Sequence, residues 1–209
     1  MNPALSQNPT HRHLILGSTS RYRQELLQRL NIPFQIVSPE VDETPLAGET
    51  PHRLAERLAL TKARTVARAF PQAVVIGADQ VADLNGLPLG KPGNHERAVE
   101  QLRQMRGQTV IFQTAVAVVC QESGFEECSV AEVRVTFRNL TDDEIENYLR
   151  IEQPYDCAGS AKSEGLGIAL LASINSDDPT ALIGLPLIRT CRMIRSAGVA
   201  LLLNPKAMP

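Results

Sequence analysis

The spacing of apolar and polar positions predicts strands alternating with helices early in the chain and a long antiparallel pair later. Residues 13–17 form an apolar strand candidate, followed by the polar turn Ser18-Thr19-Ser20 and a helix with Leu26, Leu27 and Leu30 on one side. Residues 34–37 are a second strand candidate, after which Pro39, Pro45 and Gly48 break an acidic stretch into a loop. Thr50 as N-cap, with Pro51 in the first helical position, opens a long helix expected to reach about Arg68. Residues 73–78 are continuously apolar, as a strand buried on both faces should be, and are expected to deliver Asp79 at the strand's carboxyl end.

Asn85-Gly86 predicts a tight hairpin. A helix over 94–105 follows, with Ala98, Leu102 and Met105 at helical spacing. The β-branched stretch 109–120 predicts a long strand, paired antiparallel through a turn at Ser123-Gly124 with another near 130–137. Thr141 and Glu144 form a capping box for a helix over 142–149, a reading preferred to glycosylation of the sequon Asn139-Leu140-Thr141. A loop rich in glycine and serine over 158–167 leads to a strand near 168–173, and a helix over 186–197 ends at Gly198. The fold expected is α/β: a mixed, twisted sheet flanked by helices, one continuous domain over 13–203 with two lobes and a cleft, between a disordered leader (1–12) and a tail (204–209).

Composition narrows the function classes. With 43% apolar residues among 209, the chain can bury a sizeable core. Its 21 basic and 23 acidic residues give a net charge of -2, which disfavours nucleic acid as a standing partner. The leader lacks the apolar run of a signal peptide, and no apolar stretch approaches the roughly 18 residues that cross a bilayer, so a cytoplasmic protein without a membrane partner is expected. Cys120, Cys128, Cys157 and Cys191 fit no zinc pattern and read as reduced, packed thiols.

Two residues stand out for chemistry. Leu54, Leu58, Val66 and Phe70 repeat along an apolar helical stripe, and Lys62 occupies the missing step. Taken alone, Lys62 reads equally as a stem snorkelling to water or as an ammonium reaching a cleft-bound anion. Asp79, just past an apolar strand, lies where open α/β sheets place ligands, although a lone aspartate there is more often turn-forming. Glu40, Asp42 and Glu43 add oxygens that suit a hard divalent cation, or simply a solvated loop. A phosphate loop at 86–91 is rejected on its glycine spacing and on Pro92, and His11, His13, His52 and His95 have no nucleophile elbow to serve.

Six short blocks in order carry a resemblance: L-I-L-G-S-T-S-R-Y-R-Q-E-L-L, P-E-V-D-E-T-P, V-V-I-G-A-D-Q-V, L-G-K-P, C-A-G-S-A-K-S-E-G-L-G and A-L-I-G-L-P-L-I. Together, from about Leu14 to Gly198, they resemble the Maf family. The resemblance implies a nucleoside triphosphate pyrophosphatase that uses a divalent metal, on an α/β fold like that of inosine triphosphatases, with the nucleotide between two lobes. It assigns Ser18 and Arg23 to a phosphate-binding block, Glu40 to an acidic block, Lys62 to a helix lysine, Asp79 to the catalytic aspartate and Lys91 to the G-K-P lysine. A triphosphate of charge about -4 would be offset by three cationic side chains and one dication, Mg²⁺ or Mn²⁺. Asp79 is then the proton acceptor for a metal-acidified water, with Glu40 helping to hold the metal.

Branches of the family differ at the positions of Tyr22, Gln80 and Glu164. The set found here resembles the branch acting on 7-methyl-GTP, whose cationic base favours an aromatic face and a carboxylate. The competing expectations are a dTTP/UTP pyrophosphatase and a nucleotide-binding regulator of septum formation. A homodimer is the expected assembly, and the role of Lys162 stays open.

Overall fold

The computed structural model describes residues 12–202; the expected tail and the leader, except Arg12, lie outside the described residues. Arg12 itself donates to Cys120 Sγ and faces Glu122 at 3.5 Å. The strands are β1 (Leu14–Gly17), β2 (Gln35–Ile36), β3 (Val74–Leu84), β4 (Leu87–Leu89), β5 (Thr109–Cys120), β6 (Phe125–Phe137) and β7 (Leu171–Asn175). The helices are α1 (Arg21–Gln28), α2 (Pro51–Ala69), α3 (His95–Met105), α4 (Asp142–Glu152) and α5 (Leu187–Ser196). The strands make one mixed sheet in the order β2-β1-β3-β5-β6-β7, with β4 on the far end of β3. The first three are parallel and the rest antiparallel. No described helix is long and apolar enough to cross a membrane.

Alternation along β3 and β5 divides the core. Val74, Ile76 and Ala78 with Val116 and Val118 pack under α1 and α5, whereas Ile15, Val75, Ala115 and Ala117 lie under α2. A third cluster, built on Ala82, Phe112 and Val133, holds α3 and α4 at the other end of the same long strands. The two lobes therefore share β3, β5 and β6 as a common floor.

Several expected boundaries moved: β6 begins at Phe125 where a start near 130 was expected, and α4 runs to Glu152 where an end at 149 was expected. β3 does not end before Asp79; it runs to Leu84, because β5 pairs with it throughout, Asp79 opposite Ala115 and Gln80 opposite Thr114. What stops early is β1, whose last pairing is Gly17 with Gly77, so one side of β3 is open from there until β4 takes it up at Ala82. The strand expected at 168–173 is instead Leu171–Asn175, since Leu166–Leu170 forms a 3-10 turn that buries Gly167 and Leu170 and leaves Ile168 exposed. The capping box is present, as are the Thr50 cap and the left-handed Asn85-Gly86 turn. The four cysteines are free thiols.

The approach of α2 to β3 is unusually close. Ala55, Ala59, Ala63 and Ala67 form a small-residue stripe, all buried. A Cβ added at Gly77 would lie 2.3 Å from the Ala59 carbonyl oxygen and 2.5 Å from the Ala63 nitrogen, both rigid backbone. Gly77→Ala should therefore destabilise the protein by about 1–3 kcal/mol, measured by urea unfolding, because backbone can yield only by moving the helix off the sheet.

The acidic loop is clamped onto α2 by Arg57, whose Nε and Nη2 donate to the two carboxylate oxygens of Glu49 at 2.6 and 2.8 Å, while Nη2 also reaches the Thr44 carbonyl. The Arg57 bonds pull Glu49 down to about 2 from 4.5, with help from the Leu46 amide and against the cost of burial. A depressed acid contributes stability that is complete above its unfolded pKa and lost as pH falls through its folded one. Urea titrations of wild type and Glu49→Gln should thus differ by a constant amount above pH 4.5, and that difference should shrink below it and vanish near pH 2.

Candidate active site

Where β1 stops and β3 continues, a cleft of about 680 Å³ opens between the lobes. This lies within the usual range for small-molecule sites. Its walls come from the β1–α1 turn, the acidic loop, the β4–α3 segment, the loop after α4 and the turn near Ile183.

At its floor Asp79 and Lys62 are both buried, and Lys62 Nζ donates to Asp79 Oδ1 at 2.7 Å. The same ammonium meets Glu43 Oε1 at 2.5 Å. The open question about Lys62 is thereby answered in geometry: its head turns inward onto two carboxylates. Burial raises the Glu43 pKa, but the Lys62 ammonium outweighs it, so the net shift is downward. The close contact at Gly77 makes this meeting possible, since it brings the α2 backbone against β3 two residues before Asp79.

Arg23 closes the cationic end. Its Nε donates to the Gly184 carbonyl at 3.0 Å and its Nη1 to Ser18 Oγ at 3.3 Å. Burial lowers its pKa, while Asp79 and Glu43 work in the opposite direction. The N-cap of α1, Ser20, makes no side-chain capping bond. The first amides of α1 are therefore available to an anion beside Ser18, with the helix dipole favouring negative charge. Lys91 lines the cleft from the β4–α3 segment and is exposed.

The opposite end has another character. Tyr22, in the first turn of α1, carries the Arg21 guanidinium over its ring at 4.8 Å, and its hydroxyl donates to Asp156 Oδ1 at 3.4 Å. Burial pushes the Tyr22 hydroxyl pKa upward. Cys157 lies 3.6 Å from that hydroxyl, and burial, with Asp156 and Glu164 nearby, pushes its thiol up to about 11. Glu164 is exposed on the loop after α4 and lines the cleft. Gln80 lies on the other face of β3 from Asp79. Its Nε2 donates to Thr114 Oγ1 and to the Ala181 and Leu182 carbonyls at 2.9–3.0 Å. Carbonyls only accept, so the amide nitrogen is committed to holding that turn and Oε1 is the atom left for a ligand.

Glu40 is exposed and is not among the residues lining the cleft; the acid that reaches Lys62 from the same block is Glu43. Sequence reasoning had both in one acidic cluster, but nothing in a loop's composition tells which side chain turns inward. Asp156 and Cys157 were also missed, because their link to Tyr22 spans 134 residues or more. Of the histidines, His11 lies outside the described residues and the other three do not line the cleft. Among the described residues no group of three or more His, Cys, Asp or Glu side chains gathers around one point. The carboxylates of Asp79 and Glu43, converging on one ammonium, are nonetheless the one or two hard oxygen donors that Mg²⁺ takes from a protein when phosphates supply the rest.

Residues 13–197 match the model of the Maf family, described as Maf-like protein. The 7-methyl-GTP pyrophosphatase of Polaromonas sp. (strain JS666 / ATCC BAA-500) is 79% identical over 198 residues, 95% of this chain and 90% of that protein. The protein of the same name from Albidiferax ferrireducens is 68% identical over 194 residues, 93% of this chain and 98% of that one. Among solved structures, the Staphylococcus aureus Ham1 protein overlaps 61% of this chain and 73% of its own at 16% identity and a TM-score of 0.45, a likeness too distant to add to the assignment. With its cleft residues drawn from all six sequence blocks and the family match spanning both lobes, the chain belongs to the Maf family.

Proposed function

We propose that the protein hydrolyses 7-methyl-GTP to 7-methyl-GMP and pyrophosphate. The observation that carries this reading is how charge is divided along the cleft: Arg23, Lys62, Lys91 and the open amides of α1, with Glu43 and Asp79 on Lys62, gather at one end, and Tyr22, Asp156 and Glu164, with Arg21 on the tyrosine, at the other. A ligand matching both ends is anionic along its phosphates and cationic at its base, as N7-methylated guanine is. Relatives named for this activity at up to 79% identity support the same reading.

In this mechanism the triphosphate lies over the α1 amides, with Arg23 and Lys91 on its oxygens. The phosphates draw on the Lys62 ammonium, which already stands between Glu43 and Asp79. Asp79 Oδ1 stays oriented by Lys62, and Oδ2 accepts the proton of the attacking water. The oxygen of that water bonds to the α-phosphorus as the α–β bridging bond breaks, and pyrophosphate leaves with the bridging oxygen. A divalent cation held by Asp79 and Glu43, in place of the expected Glu40, supplies charge neutralisation and a more acidic water when bound. At the other end Tyr22 borders the base and Glu164 accepts from its N1-H and N2 donors. Those donors are shared with unmethylated guanine, so the charge of the carboxylate is what distinguishes the two.

Three measurements test this. Initial rates with Mg²⁺ on 7-methyl-GTP, GTP, dTTP and UTP should favour 7-methyl-GTP and release pyrophosphate in one step; a preference for dTTP or UTP would transfer the assignment to the other branch, and stepwise orthophosphate would refute the chemistry. Asp79→Asn should lose at least about 100-fold in kcat with an unchanged fold, the size expected of a missing general base. Replacing Glu164 with Gln should cut kcat/KM on 7-methyl-GTP roughly 10-fold while GTP changes much less. An equal loss on both nucleotides would remove the base-reading role.

A further inference from the structure

Glu164 reads a base from an exposed loop, which raises the question of what keeps it in place. The loop is tied to α4 at three points. Glu152 Oε1 accepts from Lys162 Nζ at 2.6 Å, Glu152 Oε2 accepts from the Leu166 amide at 2.8 Å, and the Tyr148 hydroxyl accepts from the Lys162 amide at 3.0 Å. Tyr148 and Glu152 are four residues apart, on one face of a helix whose Ile145 and Leu149 are fully buried. The chain then turns back on itself, with the Gly165 amide donating to the Lys162 carbonyl at 3.1 Å.

Two glycines are required by this packing. A Cβ at Gly165 would sit 2.7 Å from Glu152 Oε2, and one at Gly167 would sit 2.4 Å from the Lys162 carbonyl oxygen. Glu164 lies between the anchored residues Lys162 and Leu166. It lines the cleft, as neither Glu152 nor Lys162 does.

We propose that Glu152 and Lys162 form a latch that positions Glu164 for base recognition, and that Lys162 is not a phosphate ligand. The latch fixes the loop before the nucleotide arrives, so the ordering cost is not drawn from binding. Its carboxylate is suited to this because it neutralises Lys162 and caps the Leu166 amide with its two oxygens at once. Glutamine at 152 would keep an acceptor for the amide and lose the counter-charge. The proposal rests on Glu164 being the base reader.

The test is a double-mutant cycle on the full chain, with kcat and KM measured for 7-methyl-GTP and GTP. Glu152→Gln should lower kcat/KM for 7-methyl-GTP by roughly 5-fold, mainly through KM, and shift GTP by less than about 2-fold. Combined with Glu164→Gln it should add no further loss, since a latch has nothing to position once its reader is gone. Gly165→Ala, which displaces the Glu152 carboxylate by steric contact alone, should reproduce the selective loss. Glu152→Asp, which keeps the charge, should recover part of it.

Losses that add in the double variant, or that fall equally on both nucleotides, would overturn the latch and leave the 7-methyl-GTP assignment intact. A uniform rise in KM for every triphosphate with Lys162→Met, beside a normal Glu152→Gln, would overturn it by making Lys162 a phosphate ligand. An equal effect of Glu164→Gln on both nucleotides would bring down the base reading and the latch together. A wild-type enzyme indifferent to 7-methyl-GTP would show instead that the proposed function itself is wrong.

Discussion

The buried ammonium of Lys62 between Glu43 and Asp79 is the contact on which the rest of the site depends. An unpaired lysine at this depth would carry a large desolvation penalty, and so would Asp79 without a cation. Each makes the other's burial tolerable. Gly77 and the alanine stripe of α2 exist, in physical terms, to let this meeting happen: any side chain at 77 would hold the helix away and lengthen the bridge. With two carboxylates and one ammonium the cluster carries one net negative charge, which the neighbouring Arg23 formally balances. A triphosphate thus enters a site whose cations are already oriented by internal anions and need not be gathered from solution.

Strand lengths determine where this happens. Because β1 ends opposite Gly77 and β3 runs seven residues further, to Leu84, the cleft opens against the middle of a strand that is still held by β5 on its other edge. Asp79 and Gln80 are consecutive, so the pleat sends them to opposite faces. One joins α2 and its lysine; the other braces the turn at Ala181 and Leu182. A loop could offer the same two side chains, but not with both backbone positions fixed by a ladder.

Much of this was legible in the sequence, for reasons that can be named. The interruption of the α2 stripe at Lys62 singled that residue out while leaving its direction open, Thr50-Pro51 and Thr141-Glu144 marked helix starts by local capping chemistry, and Asn85-Gly86 marked its hairpin by backbone preference. Those signals are local. The end of β3 was misplaced because polar Asp79 and Gln80 look like a strand's end, whereas the pairing that continues it comes from β5, some 30 residues away. The strand expected near 168 begins only at Leu171, because Gly165 and Gly167 fold the preceding stretch around the Glu152–Lys162 pair. Glu43 rather than Glu40 could not be chosen without knowing that Arg57 clamps the loop through Glu49.

The cleft's two ends place different demands on their charges. Phosphate binding as proposed tolerates redundancy: Arg23, Lys91, Lys62 and the α1 amides would all act on one extended anion, so that loss of a single donor would leave the others in reach. Base reading does not, because the difference between 7-methylguanine and guanine is one charge, and only an acid held at a defined place converts it into a difference in binding. An exposed carboxylate free to swing would be screened by water and read both bases nearly alike. The loop bearing Glu164 is accordingly exposed at Glu164 itself and closely packed just beyond it, at Gly165 and Gly167. Selectivity for a single charge requires a carboxylate that reaches the ligand from a fixed place.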